Sequence, residues 1–380
     1  MPERLTWCEV SAGALRSNVR EFRRLVGPAC RLGVVVKANA YGHGLVLAAR
    51  TFVDAGSDLL CVNDLWEAAR LREAGIEAPI VVLGWVPPAQ AAEAAGLRVA
   101  VVAYDRDVVL ALDRAGRDAG RPIEVHLKIE TGTNRQGLGL ADVRDLAACA
   151  ASLPGVRVAG LSTHFADVED TTDHAFAKSQ LARFREAVEA LAADGVALDR
   201  RNLANSAATI LWPEAHMDAV RVGISAYGMW PSKETRVAAA LTQRDRLVLR
   251  PAMTWKTVIA QVKTVPAGEY VGYGRTYRTT SDTRIAVLPV GYYDGYDRGV
   301  AGAHVLIGGQ RAQVRGRVCM DMVMVDVTDV PGARAGDEVV LMGASGDETI
   351  TAEQFAGWAG TINYEVTTRI AESVPRREVP

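Results

Sequence analysis

An excess of charge of one sign is what this sequence most plainly lacks: 43 Lys and Arg face 45 Asp and Glu, a net charge of -2. Without a basic excess, bulk charge favours neither nucleic acid nor an anionic membrane, and neither partner is expected. Long hydrophobic runs are missing too. No stretch reaches the roughly 18 consecutive apolar residues of a membrane-spanning helix. The start, MPERLTWCEV, has no basic segment leading into an apolar one, so no export signal is expected. Cysteine is scarce. Cys8, Cys30, Cys61, Cys149 and Cys319 are scattered, form no CxxC pair and sit in no Cys/His cluster. No metal is therefore expected, and reduced thiols in a cytoplasm fit best. No G-x-G-x-x-G opens a helix after the first strand candidate, which counts against a dinucleotide-binding sheet. Low-complexity tracts are absent, as are repeats other than a strand–helix unit.

What is present is a chain of 380 residues, 49% hydrophobic and 23% charged. That length is too great for one small core, so two domains are expected. The first part alternates short apolar runs with Ala/Leu/Arg/Glu segments of helical period. Strand candidates are Val34–Val36, Leu59–Val62, Ile80–Leu83, Val99–Val102, Ile123–Ile129, Val156–Leu161, Leu203–Ser206 and Val220–Ile224. LWEAARLREAGI and QLARFREAVEALAADG supply helices, with Gly75 and Gly195 where helix stops belong. Such alternation predicts a parallel sheet of the α/β class, and eight repeats predict a closed (β/α)8 barrel over residues 1–240. An open doubly wound sheet is the rival. From about Leu247 the texture turns to Val/Thr alternation with Gly-rich turns, which predicts a mostly-β domain over residues 241–380. The boundary is expected between Pro231 and Pro251, in the polar stretch containing SKETR and TQRDR.

Barrel enzymes carry their chemistry at the carboxyl ends of the strands. After the first candidate strand come Lys37 and Tyr41. The fifth is followed by Lys128 and Arg135, the sixth by His164, the seventh by Asn205 and Ser206, and the eighth carries Arg221, Gly223 and Ile224. A lysine at a strand exit is ordinarily solvated, and a glycine after a strand is ordinarily a tight turn. Together they allow a sharper reading. Gly223 and Ile224 can offer backbone amides and Ser206 a hydroxyl to a phosphate, opposite an amine able to bind a carbonyl. That combination points to a phosphorylated cofactor bearing an aldehyde, held on Lys37.

The motifs VVVKANAYGHG, HLKIETGTNRQGLG, LSTHFA, NLANSAAT, RVGISAYG, YVGYGRTY, LPVGYYDGY, GRVCMDM and TINYEV, in this order over almost the whole chain, resemble the alanine racemase family. The resemblance implies a pyridoxal 5'-phosphate enzyme interconverting L- and D-alanine. It implies a cytoplasmic homodimer serving D-alanine biosynthesis as a peptidoglycan precursor. Lys37 matches the lysine that carries the cofactor. Tyr41, Ser206, Gly223, Ile224 and Tyr364 match phosphate-binding positions, with Asn205 beside them. Arg221 matches the arginine at the pyridine nitrogen and His164 the histidine beside the ring. For these two residues, pairing with a core carboxylate and a hydrogen-bonded core position are the structural alternatives.

Racemisation needs a base on each face of Cα, and Tyr273 matches the second base, supplied by the partner subunit. A phenol needs a neighbouring cation to act as a base at neutral pH, and Arg135 matches the arginine that meets that phenol and the substrate carboxylate. Tyr292, Met320 and Asp321 match substrate-pocket positions, and Arg298 and Arg317 match the entry corridor. Lys128 matches a lysine carbamylated in some members, with an ordinary salt bridge as the alternative. Tyr293, Trp255 and Trp358 are read as packing residues. Thr133 and Gln136 replace side chains that are apolar in many relatives, which bears on substrate breadth. Other readings are a serine or lysine racemase of this fold, a basic amino-acid decarboxylase, which lacks VGYGRTY, and a cofactor-carrying barrel without a β domain.

Overall fold

The computed structural model describes residues 4–242 and 246–380, so the middle of the TQRDR stretch lies outside the described residues. The chain divides into two compact units. One comprises Ala14–Ala40 and Leu45–Arg250; the other comprises the chain up to Gly13, Tyr41–Gly44 and Pro251–Pro380.

The first unit is a closed parallel barrel of eight strands: Arg31–Val35, Leu59–Val62, Ile80–Val82, Ala100–Ala103, Ile123–Lys128, Val156–Ser162, Arg200–Asn202 and Ala219–Val222. Closure is made by the last strand on the first, with Arg31 opposite Ala219 and Val34 opposite Val222. The strands are apolar because both faces are covered. Leu32, Val34, Leu60, Val82, Val101, Val125, Leu127, Leu161 and Val222 are all buried. The intervening helices are amphipathic. Arg106–Asp118 buries Val108, Val109, Ala111, Leu112 and Ala115, and Asp105 caps it by accepting the Asp107 N–H at 2.8 Å.

The seventh strand corrects the sequence reading. It is Arg200–Asn202, and Leu203–Ser206 forms its exit and the start of the next helix. Its arginines disguise it as a loop, but both are neutralised: Arg200 donates to Glu124 at 2.8 Å and Arg201 to Asp218 at 2.6 Å.

Inside the barrel His126 is buried, its Nε2 has no hydrogen-bond partner, and burial first and Arg200 second push its pKa down to about 4. The folded state therefore holds a neutral imidazole where the unfolded chain binds a proton. Stability from this group is present above pH ~6.5 and is lost as pH falls toward about 4, in all about 3 kcal/mol. Urea titrations at pH 7 and pH 4.5 should show His126→Leu losing that much less stability on acidification than the wild type.

The second unit is a mostly antiparallel sheet. Its order is Gln261–Val265, Thr283–Leu288, Val323–Asp326, Gln310–Val314, His304–Ile307, Glu338–Ser345, Met253–Val258, Trp7–Ser11 and Arg376–Val379, with Glu348–Ile350 paired to Glu338–Ser345. Residues 1–240 were expected to belong to the barrel, yet Trp7–Ser11 pairs here, with Cys8 opposite both Trp255 and Arg376. Two helices, Ala352–Ala359 and Asn363–Arg369, complete the unit. Trp255, Tyr296 and Phe355 fill its centre with ring centroids 5.1–6.3 Å apart, and Trp358 packs against buried Leu306, Val340 and Ile350. Tyr293, read as packing, is 62% exposed. Among the described residues no helix is long and apolar enough to cross a membrane, and no group of three or more His, Cys, Asp or Glu could hold a metal.

Candidate active site

The chain leaves the first barrel strand through a left-handed turn. Ala38, Asn39, Ala40 and Tyr41 have φ of 54°, 52°, 55° and 52°. L-residues pay roughly 1–2 kcal/mol each in this region, so other contacts must hold the turn. Ala40 N–H donates to Val36 O at 2.8 Å, Ala38 N–H to Glu67 Oε1 at 2.6 Å, and Leu45 N–H to Asn39 Oδ1 at 2.8 Å. Gly42 continues it at φ 84°, where a Cβ would collide with the Thr367 carbonyl. Lys37 stands at the head of this turn, half-buried. Burial, then the Arg135 charge, lowers its amine from the ordinary lysine value, against the pull of Glu67. A larger neutral fraction makes it a better nucleophile.

Four cations act on one another here: Lys37, Lys128, Arg135 and Arg221. Lys128 is pushed well below its usual range by burial first, then by Arg221 and Arg135, with Glu130 opposing. No ion pair holds it among the described residues, so the salt-bridge expectation fails. Arg221 is buried, and burial pushes it down to about 10, which leaves the guanidinium charged at neutral pH. It donates to Thr163 O at 2.8 Å and Asn202 O at 3.2 Å, with no carboxylate partner among the described residues. Its Nη2 lies 3.4 Å from His164 Nδ1. A guanidinium only donates, so Nδ1 accepts and a neutral ring carries its proton on Nε2. Burial and the neighbouring cations hold His164 well below the usual histidine range.

Glu130 shapes the loop that presents Arg135. Its carboxylate accepts the N–H groups of Gly132 at 2.5 Å, Thr133 at 2.6 Å and Arg135 at 3.3 Å, which leaves the Arg135 side chain exposed. Thr133 Oγ1 donates to His164 O at 2.7 Å and Gln136 Nε2 to Tyr104 Oη at 3.2 Å. Lys128, Glu130, Thr133, Arg135, Gln136, Thr163 and His164 line a crevice too tight to admit a water molecule. At the late strands, Asn205 caps helix Ser206–Leu211 by accepting the Ala208 N–H at 3.0 Å. Ser206 Oγ accepts the Gly223 N–H at 2.9 Å, and Gly223 opens the short 3-10 turn Ile224–Tyr227. Tyr227 Oη donates to Val35 O at 2.8 Å, tying this loop to the strand that precedes Lys37.

The remaining sequence-predicted residues belong to the β-rich unit. Tyr41 and Tyr364 have ring centroids 6.0 Å apart. Tyr273 is 67% exposed on a turn between Gly272 and Gly274, both at positive φ. Tyr292 and Tyr293 donate backbone N–H groups to Cys319 O at 3.1 Å and Met320 O at 3.0 Å, so the YYDG turn lies against the CMDM segment bearing Met320 and Asp321. Arg298 lies over the Tyr292 ring at 5.6 Å, and the Arg317 side chain runs beside Gly274.

Residues 10–231 match the family model for the alanine racemase N-terminal domain, and residues 252–378 match that for the alanine racemase C-terminal domain. The chain belongs to the alanine racemase family. The alanine racemase of Symbiobacterium thermophilum is 45% identical over 376 residues, 98% of this chain and 97% of that protein. The crystal structure of alanine racemase from D-cycloserine-producing Streptomyces lavendulae superposes with a TM-score of 0.92 at 38% identity, covering 100% of this chain and 98% of that one. That of Streptomyces coelicolor A3(2) gives 0.90 at 37% identity, with 98% of each covered.

Against this alanine racemase framework, the sequence reading located the cations and missed what holds them. Glu67, Glu130, Thr163 and Tyr227 were not singled out. A signal existed for Glu67: Asp64 and Glu67 stand at capping-box spacing before an apolar-periodic helix. Glu130 carries none, because its partners are backbone amides of its own loop.

Proposed function

We propose that this chain interconverts L- and D-alanine with pyridoxal 5'-phosphate carried on Lys37, as a cytoplasmic homodimer whose D-alanine feeds peptidoglycan. The observation that carries this reading is the grouping of three cations, Lys128, Arg135 and Arg221, with half-buried Lys37, whose amine is biased toward its neutral form. Such a set suits a cofactor phosphate and a substrate carboxylate together. Ser206, Gly223, Ile224, Tyr41 and Tyr364 would hold the phosphate, with Asn205 fixing the helix start beside them. Arg221 would meet the ring nitrogen and His164 the ring. When bound, the cofactor supplies an electron sink for the charge left on Cα as its proton leaves.

The protein's own part is to place and move that proton. Lys37 Nζ takes or returns it on one face of Cα, and the Tyr273 phenol does so on the other. Arg135 orients the substrate carboxylate. Arg221 is charged, partnered by carbonyls and a neutral imidazole, and cannot give up a proton, which limits how far the ring gains one. The exposure of Tyr273, Met320 and Asp321 supports a site shared between subunits, and five free cysteines suit a reducing compartment. Reversible carbamylation of Lys128 is supported by its depressed amine and by the lack of an ion pair to it among the described residues. The proposed domain division at 240/241 falls short of the end of the barrel unit at Arg250, and the segments up to Gly13 and Tyr41–Gly44 join the β-rich unit.

A serine or lysine racemase is not favoured. Thr133 and Gln136, the polar departures, spend hydrogen bonds on His164 O and Tyr104 Oη. Optical rotation of an L-alanine solution should fall to zero with the purified enzyme. Chiral chromatography of an amino-acid panel should rank alanine at least about tenfold above serine, the scale of discrimination a small pocket difference supports. Unchanged rotation would sink the reading.

A further inference from the structure

We infer that Glu67 is a positioning residue for Lys37: its carboxylate ties the left-handed turn at Ala38 to the end of the second barrel strand, and so fixes where the Lys37 amine stands. The inference rests on the proposed role of Lys37. Glu67 is 6% exposed, yet among the described residues no arginine or lysine pairs with it; its oxygens instead accept two backbone N–H groups, Ala38 at 2.6 Å and Asn63 at 2.7 Å. Its own N–H is taken by Asp64 at 3.1 Å at the start of helix Leu65–Glu73, so the carboxylate is held from behind.

Ala38 is the first of five consecutive residues at positive φ, the last being Gly42. A turn of that hand, built from Ala, Asn, Ala and Tyr, does not hold itself. Asn39 Oδ1 secures its far end through Leu45 N–H, and Glu67 secures the end adjoining Lys37. Among the groups acting on Lys37, Arg135 and Arg221 are cations and the Cys61 thiol is buried, which leaves Glu67 as the carboxylate that offsets them. Glutamine in its place offers one acceptor oxygen and an NH2 group that only donates, so it can satisfy one of the two amides and must face the other with a donor.

The test uses the holoenzyme and residue-resolved hydrogen exchange. In the wild type the Ala38 and Asn63 amides should exchange slowly, although neither lies in a regular helix or strand ladder. In Glu67→Gln at least one should lose protection about tenfold or more, with barrel-strand amides unchanged. The visible circular dichroism of the bound cofactor should weaken. The turnover number should fall about 10- to 100-fold, as misplacement of a reacting group does, with KM for alanine within about threefold. Glu67→Ala should lose more on every measure. Unprotected Ala38 and Asn63 amides in the wild type would overturn the proposal without any variant. So would Glu67→Gln protein with wild-type dichroism and turnover within twofold. A wild-type protein lacking any visible band would overturn the cofactor reading instead, and the amide protection would still decide the Glu67 tie.

Discussion

Lys37→Ala protein is expected to lose racemase activity by about 10⁴-fold, the upper range for a general acid–base group, and to lose its visible absorption. Both losses follow from one atom, since Nζ is proposed as cofactor anchor and as the base on one face of Cα. The competitor is Lys128, whose amine is pushed still further down and which has no ion pair among the described residues. Borohydride reduction of the wild type followed by peptide mapping separates the two. The label should lie wholly on Lys37. A Lys37→Ala protein that still binds cofactor reducibly, on Lys128 or elsewhere, would remove the assignment, because burial alone would then be choosing the amine.

Tyr273→Phe should be nearly as inactive, with a different signature. The two proposed bases would act on opposite faces, so each would serve one enantiomer. By family resemblance Lys37 takes the proton of D-alanine and Tyr273 that of L-alanine. Without the phenol oxygen racemisation collapses in both directions, since a catalyst cannot shift an equilibrium. Exchange of the D-alanine α-proton with deuterated solvent should survive, read by NMR with each enantiomer supplied separately. Equal exchange from both enantiomers would refute the face assignment. A shared site adds a second consequence. Tyr273→Phe mixed with Lys37→Ala forms mixed dimers with one intact site and one doubly deficient site. Half the dimers are mixed and half of their sites are intact, so about a quarter of wild-type activity should return. No recovery, with subunit exchange demonstrated, would place both bases in one chain.

Much of the architecture is legible in the chain because parallel strands covered on both faces read as unbroken apolar runs. Leu59–Val62 and Ile123–Lys128 could be placed almost to the residue. Arg200–Asn202 could not, because its arginines are neutralised by Glu124 and Asp218, distant in sequence. Trp7–Ser11 could not be assigned to the β-rich sheet, since Cys8 finds Trp255 and Arg376 only after the intervening chain has folded. Local sequence also determined which residue types stand at each strand exit, and so the identity of Lys37, Arg135, His164 and Arg221 as candidates. What those groups are chemically was decided by tertiary structure. Burial and the convergence of cations from separate strands bias Lys37 toward neutrality, hold His164 uncharged with its proton on Nε2, and leave Arg221 charged among carbonyls. The left-handed turn of Ala38–Tyr41 was hidden for the same reason. No residue in it is glycine, and its hand is held by Glu67 and Asn39 through bonds that exist only in the folded chain.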